Sequence, residues 1–159
     1  MSSPTPPAAV LEGLYFDDLA EGMTWSSPGA TLTESQIIDF ALQFDPQPFH
    51  IDREAATNQS IFGGLIASGF HTLSLAFRLF MQTGVLRAAS LGGPGMEDVK
   101  WLRPVRAGDT IRTITTVHRL SPSRSKPDRG AVVWAFDVQN QAGETVLVAK
   151  ITSLLKRRG

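Results

Sequence analysis

The apolar residues change period once along this chain, from helical spacing in the first half to alternation in the second. Ile37, Ile38, Ala41 and Leu42 recur at helical spacing. They follow Thr33-Glu34-Ser35-Gln36, which matches a capping box with Thr33 as cap and Gln36 reaching back. This helix is predicted to end by Asp45, because the residue before a proline is pushed out of the helical region. Asp45 then falls on a stiff turn. Asp52 can cap a second short helical turn running to Thr57. A long helix is predicted over roughly 64–83, carrying Leu65, Ile66, Phe70, Leu73, Leu75, Phe77, Leu79 and Phe80 around most of its circumference. A helix apolar on nearly every side must be wrapped by other structure, and Gly84 supplies its stop.

Beyond it the pattern is that of strands. Glu97 to Arg103, Asp109 to Leu120, Ala131 to Gln139 and Glu144 to Leu155 read as four successive β segments, with a further strand near Met23 to Ser27. Val132, Trp134, Phe136 and Val138 give the clearest alternation. Arg106-Ala107-Gly108-Asp109 and Asn140-Gln141-Ala142-Gly143 supply turns. An antiparallel sheet curled around one central helix accounts for this order. The expected fold class is therefore α+β, of the hotdog type.

Composition narrows the classes of function. With 159 residues, 42% hydrophobic and 19% charged, the chain has the make-up of an ordinary soluble domain. Residues 1–12 read as a disordered leader rich in Pro and Ser, without a secretory signal, and 13–159 as one domain. Fifteen basic residues balance fifteen acidic ones, which gives no reason to expect nucleic acid or an anionic membrane as partner. The uncharged stretch from Ile61 to Phe77 is shorter than a membrane span and ends at Arg78. There is no cysteine, which excludes disulfides and thiolate chemistry and fits a cytoplasmic location.

The candidate chemistry lies in Asp45-Pro46-Gln47-Pro48-Phe49-His50 and in the glycine of Ala67-Ser68-Gly69. An acid five residues from an imidazole is, by itself, usually a turn acid and an unrelated histidine. Beside a glycine-started helix it gains meaning. Adding water across a conjugated C=C needs a base for the water proton, an acid for the α-carbon and donors at the thioester oxygen. Asp45 and His50 answer the first two needs. The Gly69 amide answers the third, because the orphan donors and dipole of a helix start favour developing negative charge. Glycine there would also let the thioester approach the backbone. Such a donor is worth roughly 3–4 kcal/mol of barrier.

Phe44 to Asp52, Phe62 to Gly69, Lys100 to Asp109 and Asn140 to Glu144 together resemble the MaoC-like dehydratase family. The resemblance implies (R)-specific hydration of enoyl-CoA, or the reverse dehydration, on a hotdog that is at least a homodimer, without metal or redox cofactor. It implies Asp45, His50 and Gly69 as the catalytic residues. Three positions depart from the family pattern: Gln47 stands where Asn is common, Ser68 where many relatives carry His, and Phe77 where some carry a polar helix residue.

Around this core, Phe49, Phe62 and Ile66 are expected to shape an apolar acyl pocket, with Gln47, Ser68 and His71 as further substrate-side candidates. His71 also has an ordinary reading as a structural helix histidine. Arg124, Lys126 and Arg129 form a locally basic loop that is either a solvated hairpin or a contact for the phosphates of an acyl-CoA or acyl-carrier substrate. A metal cluster of Asp45, His50, Asp52 and His71 lacks any established ligand spacing. Two rivals remain: a hotdog thioesterase, and a subunit that binds an acyl thioester without turning it over.

Overall fold

The computed structural model describes residues 12–159, so the expected leader falls almost wholly outside it. A 3-10 turn at Phe16–Asp18 is followed by strands β1 (Thr24–Ser26) and β2 (Ala30–Thr31). Helices α1 (Glu34–Phe44), α2 (Pro48–Ile51), α3 (Arg53–Gln59) and α4 (Gly69–Gln82) come next. Strands β3 (Gly95–Trp101), β4 (Thr110–Pro122), β5 (Arg129–Gln139) and β6 (Thr145–Lys156) complete the fold. The antiparallel sheet has the order β1-β4-β5-β6-β3, with β2 added on β4. β4, β5 and β6 form a meander. β3 does not join β4, its successor in the chain, but crosses to the far side and pairs with β6.

This is the expected hotdog arrangement. Ala76, Leu79 and Phe80 of α4 are buried, and the Phe80 ring meets Trp134 at 5.1 Å and Phe136 at 5.3 Å. Val132, Trp134, Phe136 and Val138 all point into this core, as their alternation predicts. Thr113 of β4 ties sheet to helix by donating to the Ala76 carbonyl at 2.9 Å.

The long helix differs from its expected form in two ways. It begins at Gly69, not near 64. The segment before it is extended and docked on neighbours: Ile66 N–H donates to Phe49 O and Ala67 N–H to Val105 O. Those two amides are therefore satisfied outside any helix. Ser68, whose hydroxyl accepts from Phe70 N–H, makes the cap. Nor is α4 wrapped on all sides. Phe70, Phe77 and Met81 are 59%, 38% and 39% exposed, because within one chain the sheet covers a single face. Gly84, at φ +82, stops the helix as expected.

Candidate active site

The site is assembled at the junction of α1, α2 and α4. The Thr33/Gln36 capping box starts α1, which ends at Asp45, whose backbone leaves the helical region before Pro46. Pro48 at the first position of α2 then restarts a single helical turn that carries His50. The expected stiff turn is thus two breaks around one short helix, and it folds His50 back toward Asp45.

His50 is 4% exposed, with Nε2 at 3.2 Å from Asp45 Oδ2. Its Nδ1 lies 2.7 Å from the carbonyl oxygen of Ile66. A carbonyl only accepts, so Nδ1 carries the proton and Nε2 is the atom turned to Asp45. The carboxylate is held at both oxygens. Gln47 Nε2 donates to Oδ1 at 2.7 Å, and the buried Ser68 hydroxyl donates to Oδ2 at 2.6 Å. Burial works against ionisation of Asp45. The hydrogen bonds from Ser68 and Gln47 and the neighbouring imidazole outweigh it, and hold the carboxyl below its ordinary value.

Opposite this pair stands Gly69, the first residue of α4, whose N–H is one of the helix-start amides without an intrahelical acceptor. The pyrrole side of the Trp101 indole lies against it. Trp101 Nε1 donates to Gly69 O at 2.8 Å, and a Cβ at position 69 would meet the ring at 2.5 Å. The contact that demands glycine is therefore the indole, whereas the sequence suggested an approaching thioester. A cavity of about 450 Å³ lies among these groups, polar at Asp45, Gln47, His50 and Gly69, and apolar at Phe62, Ile66, Trp101, Leu102 and Val105.

The expected substrate-side residues divide. Phe62, Ile66 and Gln47 line the cavity. Phe49 stands behind it, edge-on to His50 at 4.6 Å and tilted against Phe62 at 5.3 Å. Ser68 reaches the site only through Asp45. His71 does not reach it. Its ring stacks on Phe40 at 4.7 Å, and burial pushes its pKa down, favouring the neutral form. Arg124, Lys126 and Arg129 are also elsewhere. They belong to the hairpin at the far end of the long β4, where Arg129 pairs with Asp128, while the cavity borders the loop that precedes the near end. The hairpin reading of that loop fits, and a phosphate contact in this cavity does not. Asp52 caps α3 through Ala55 N–H, so the imagined Asp45/His50/Asp52/His71 cluster is not formed. Among the described residues no group of three or more His, Asp or Glu side chains is arranged to hold a metal ion.

Sequence reasoning assigned no role to Trp101, Leu102, Arg103 and Val105, all of which line the cavity. Their only signal was membership of the Lys100 to Asp109 segment.

The arrangement suits one chemical task. His50 Nε2 and Asp45 Oδ2 lie side by side, 3.2 Å apart, at the edge of the cavity, so that one water on the cavity side can hydrogen-bond to both. Its lone pairs are then free toward the cavity, across which the Gly69 amide can take a developing oxyanion.

Known proteins are similar to the chain in sequence and fold. The family model described as "MaoC like domain" matches residues 19–135. The chain is 29% identical over 144 residues to the uncharacterized protein YdeM of Bacillus subtilis, spanning 91% of this chain and all of that one. It is 29% identical over 154 residues to the (R)-specific enoyl-CoA hydratase of Rhodospirillum rubrum, covering 91% and 94% of the two chains. The crystal structure of a MaoC-like dehydratase from Rhodospirillum rubrum superposes with a TM-score of 0.85 at 40% identity, over 92% of this chain and 99% of that one.

Proposed function

The chain belongs to the MaoC-like domain family, and from that premise we propose that it is an (R)-specific enoyl-thioester hydratase, running also as a 3-hydroxyacyl-thioester dehydratase. The adjacent His50 and Asp45 side chains, which share one cavity with Gly69, carry this reading. Water held by Nε2 and Oδ2 adds its oxygen to the β-carbon while its proton passes to Nε2. The π electrons move to the thioester oxygen, where the Gly69 N–H stabilises the enolate. His50 returns the proton to the α-carbon, giving the 3-hydroxyacyl thioester with the C–S bond intact. Asp45, kept ionised by Ser68 and Gln47, orients the water and balances the transient imidazolium. The steps use an acid, an imidazole and an amide, and no metal or redox group.

Two further observations support the choice. α4 contains no Asp or Glu, the position from which a hotdog thioesterase would bring its carboxylate. Gln47, which departs from the common Asn, binds the Asp45 carboxylate and so preserves the acid's environment. The open side of α4 and the free edge of β3 are the faces on which we place a second copy in a homodimer.

Incubation with trans-2-enoyl-CoAs tests the reading. Loss of the conjugated chromophore without release of free thiol is the expected result. Thiol release would show hydrolysis instead, and neither signal over a full range of acyl lengths would leave only a binder.

A further inference from the structure

The segment that follows β3 is fixed at both ends. The amides of Leu102 and Arg103 share the Val146 carbonyl, Pro104 restricts the backbone, and buried Val105 accepts from Ala67 N–H at 2.8 Å. Arg103 and Arg106 lie on either side of Pro104 and Val105 on this strap, so their side chains leave from a rigid base beside the cavity. Arg103 lines the cavity and pairs with Glu144 at 3.0 Å, with both side chains largely open to water. Such an exposed pair is weak and readily exchanges for another anion. Arg106 Nη2 is pinned to the Phe62 carbonyl at 2.7 Å. Among the described residues its guanidinium meets no carboxylate; Asp109 binds only its backbone N–H. Its other side faces Gly64, which has no side chain to cover it.

The cavity wall thus carries the exposed guanidinium of Arg103, while that of Arg106 is held to the carbonyl of Phe62, another residue of that wall. The acyl part of an enoyl thioester is uncharged. The charged part of such a substrate is its carrier arm, and guanidinium forks match phosphate oxygens. Building on the hydratase reading, we propose that Arg103 and Arg106 form a phosphate-binding rim that takes the phosphorylated carrier arm of the thioester.

Calorimetric titration with CoA, 4′-phosphopantetheine and pantetheine tests this without requiring turnover. Wild-type protein should bind CoA more tightly than pantetheine. Arg103→Ala and Arg106→Ala should each weaken CoA about tenfold, less so in high salt, and narrow its advantage over pantetheine. Losses shared by CoA and phosphopantetheine would assign the phosphate common to CoA and a carrier-protein arm. Losses confined to CoA would assign its nucleotide phosphates. Either supports the rim. Unchanged CoA affinity in both variants, an equal loss for pantetheine, or a wild type blind to the phosphates would overturn it. Arginine-dependent CoA binding in a protein that hydrates nothing would sink the hydratase reading and leave the rim standing.

Discussion

Ser68 donates its hydroxyl hydrogen to Asp45 Oδ2 at 2.6 Å, the same oxygen that faces His50, and so ties the start of α4 to the acid of the site. The same hydroxyl accepts from Phe70 N–H. Acid, imidazole and the start of α4 are thereby held close together.

Removing that donor should change the pH dependence of turnover. Burial acts to raise the Asp45 pKa, and Ser68, Gln47 and His50 lower it to below the ordinary value. Activity that needs ionised Asp45 is present above this depressed pKa and lost as pH falls through it. Ser68→Ala removes a lowering contribution, so the Asp45 step of the acid limb of kcat/KM, separate from the protonation of the His50 base, should move to higher pH. Ser68→Thr, which keeps the hydroxyl, should move it less. An unmoved limb in Ser68→Ala would show that the hydroxyl serves only as a helix cap.

Gly69 and Trp101 should be energetically coupled. A Cβ at 69 meets the indole at 2.5 Å, so Gly69→Ala should cost about 1–3 kcal/mol of stability through overpacking. In a Trp101→Ala background the same change should cost much less. Denaturant unfolding of the four proteins measures the coupling, and additive effects would argue against the contact.

His71 offers a test of stability against pH. Its half-buried ring, stacked on Phe40, has a pKa lowered by burial and a buried Nδ1 without a hydrogen-bond partner. Below the ordinary histidine value the unfolded chain takes up a proton that the folded one resists, so stability should fall as pH drops from 7 toward 5. His71→Phe should flatten that part of the stability profile while leaving the site's chemistry in place. An unchanged slope would show that other groups cause it.

The proposed second copy is also accessible to experiment. Met81 and Phe77 are part-exposed apolar residues on the side of α4 left open by the sheet. Met81→Glu should convert a dimer in sedimentation equilibrium to monomer. A wild type that sediments as monomer would remove this face from consideration as an interface.

What the sequence disclosed was what neighbours in the chain decide. The Thr33/Gln36 box, the break at Asp45-Pro46 and the alternation from Val132 to Val138 each express a local rule, and each was readable. The start of α4 was not, because Ile66 and Ala67 satisfy their amides on Phe49 and Val105, and the latter is distant in sequence. The same limit hid Trp101. Its placement on Gly69 follows from β3 pairing with β6 and from the register shift between Glu97 and Lys100, with Asp98 at φ +54. The basic hairpin seemed suited to phosphate by composition alone, yet its position is set by the length of β4, which carries it away from the cavity. Motif spacing could pair Asp45 with His50. Only the fold shows that Ser68 and Gln47 complete the acid's environment.

The most direct test of the hydratase chemistry is turnover of a trans-2-enoyl-CoA by Asp45→Asn and His50→Ala, with folding checked by circular dichroism. Each variant should stay folded and lose kcat by at least about a hundredfold, the scale of acid–base groups. Turnover at the wild-type rate in either folded variant would contradict the assignment of Asp45 and His50 as the pair that holds and activates water.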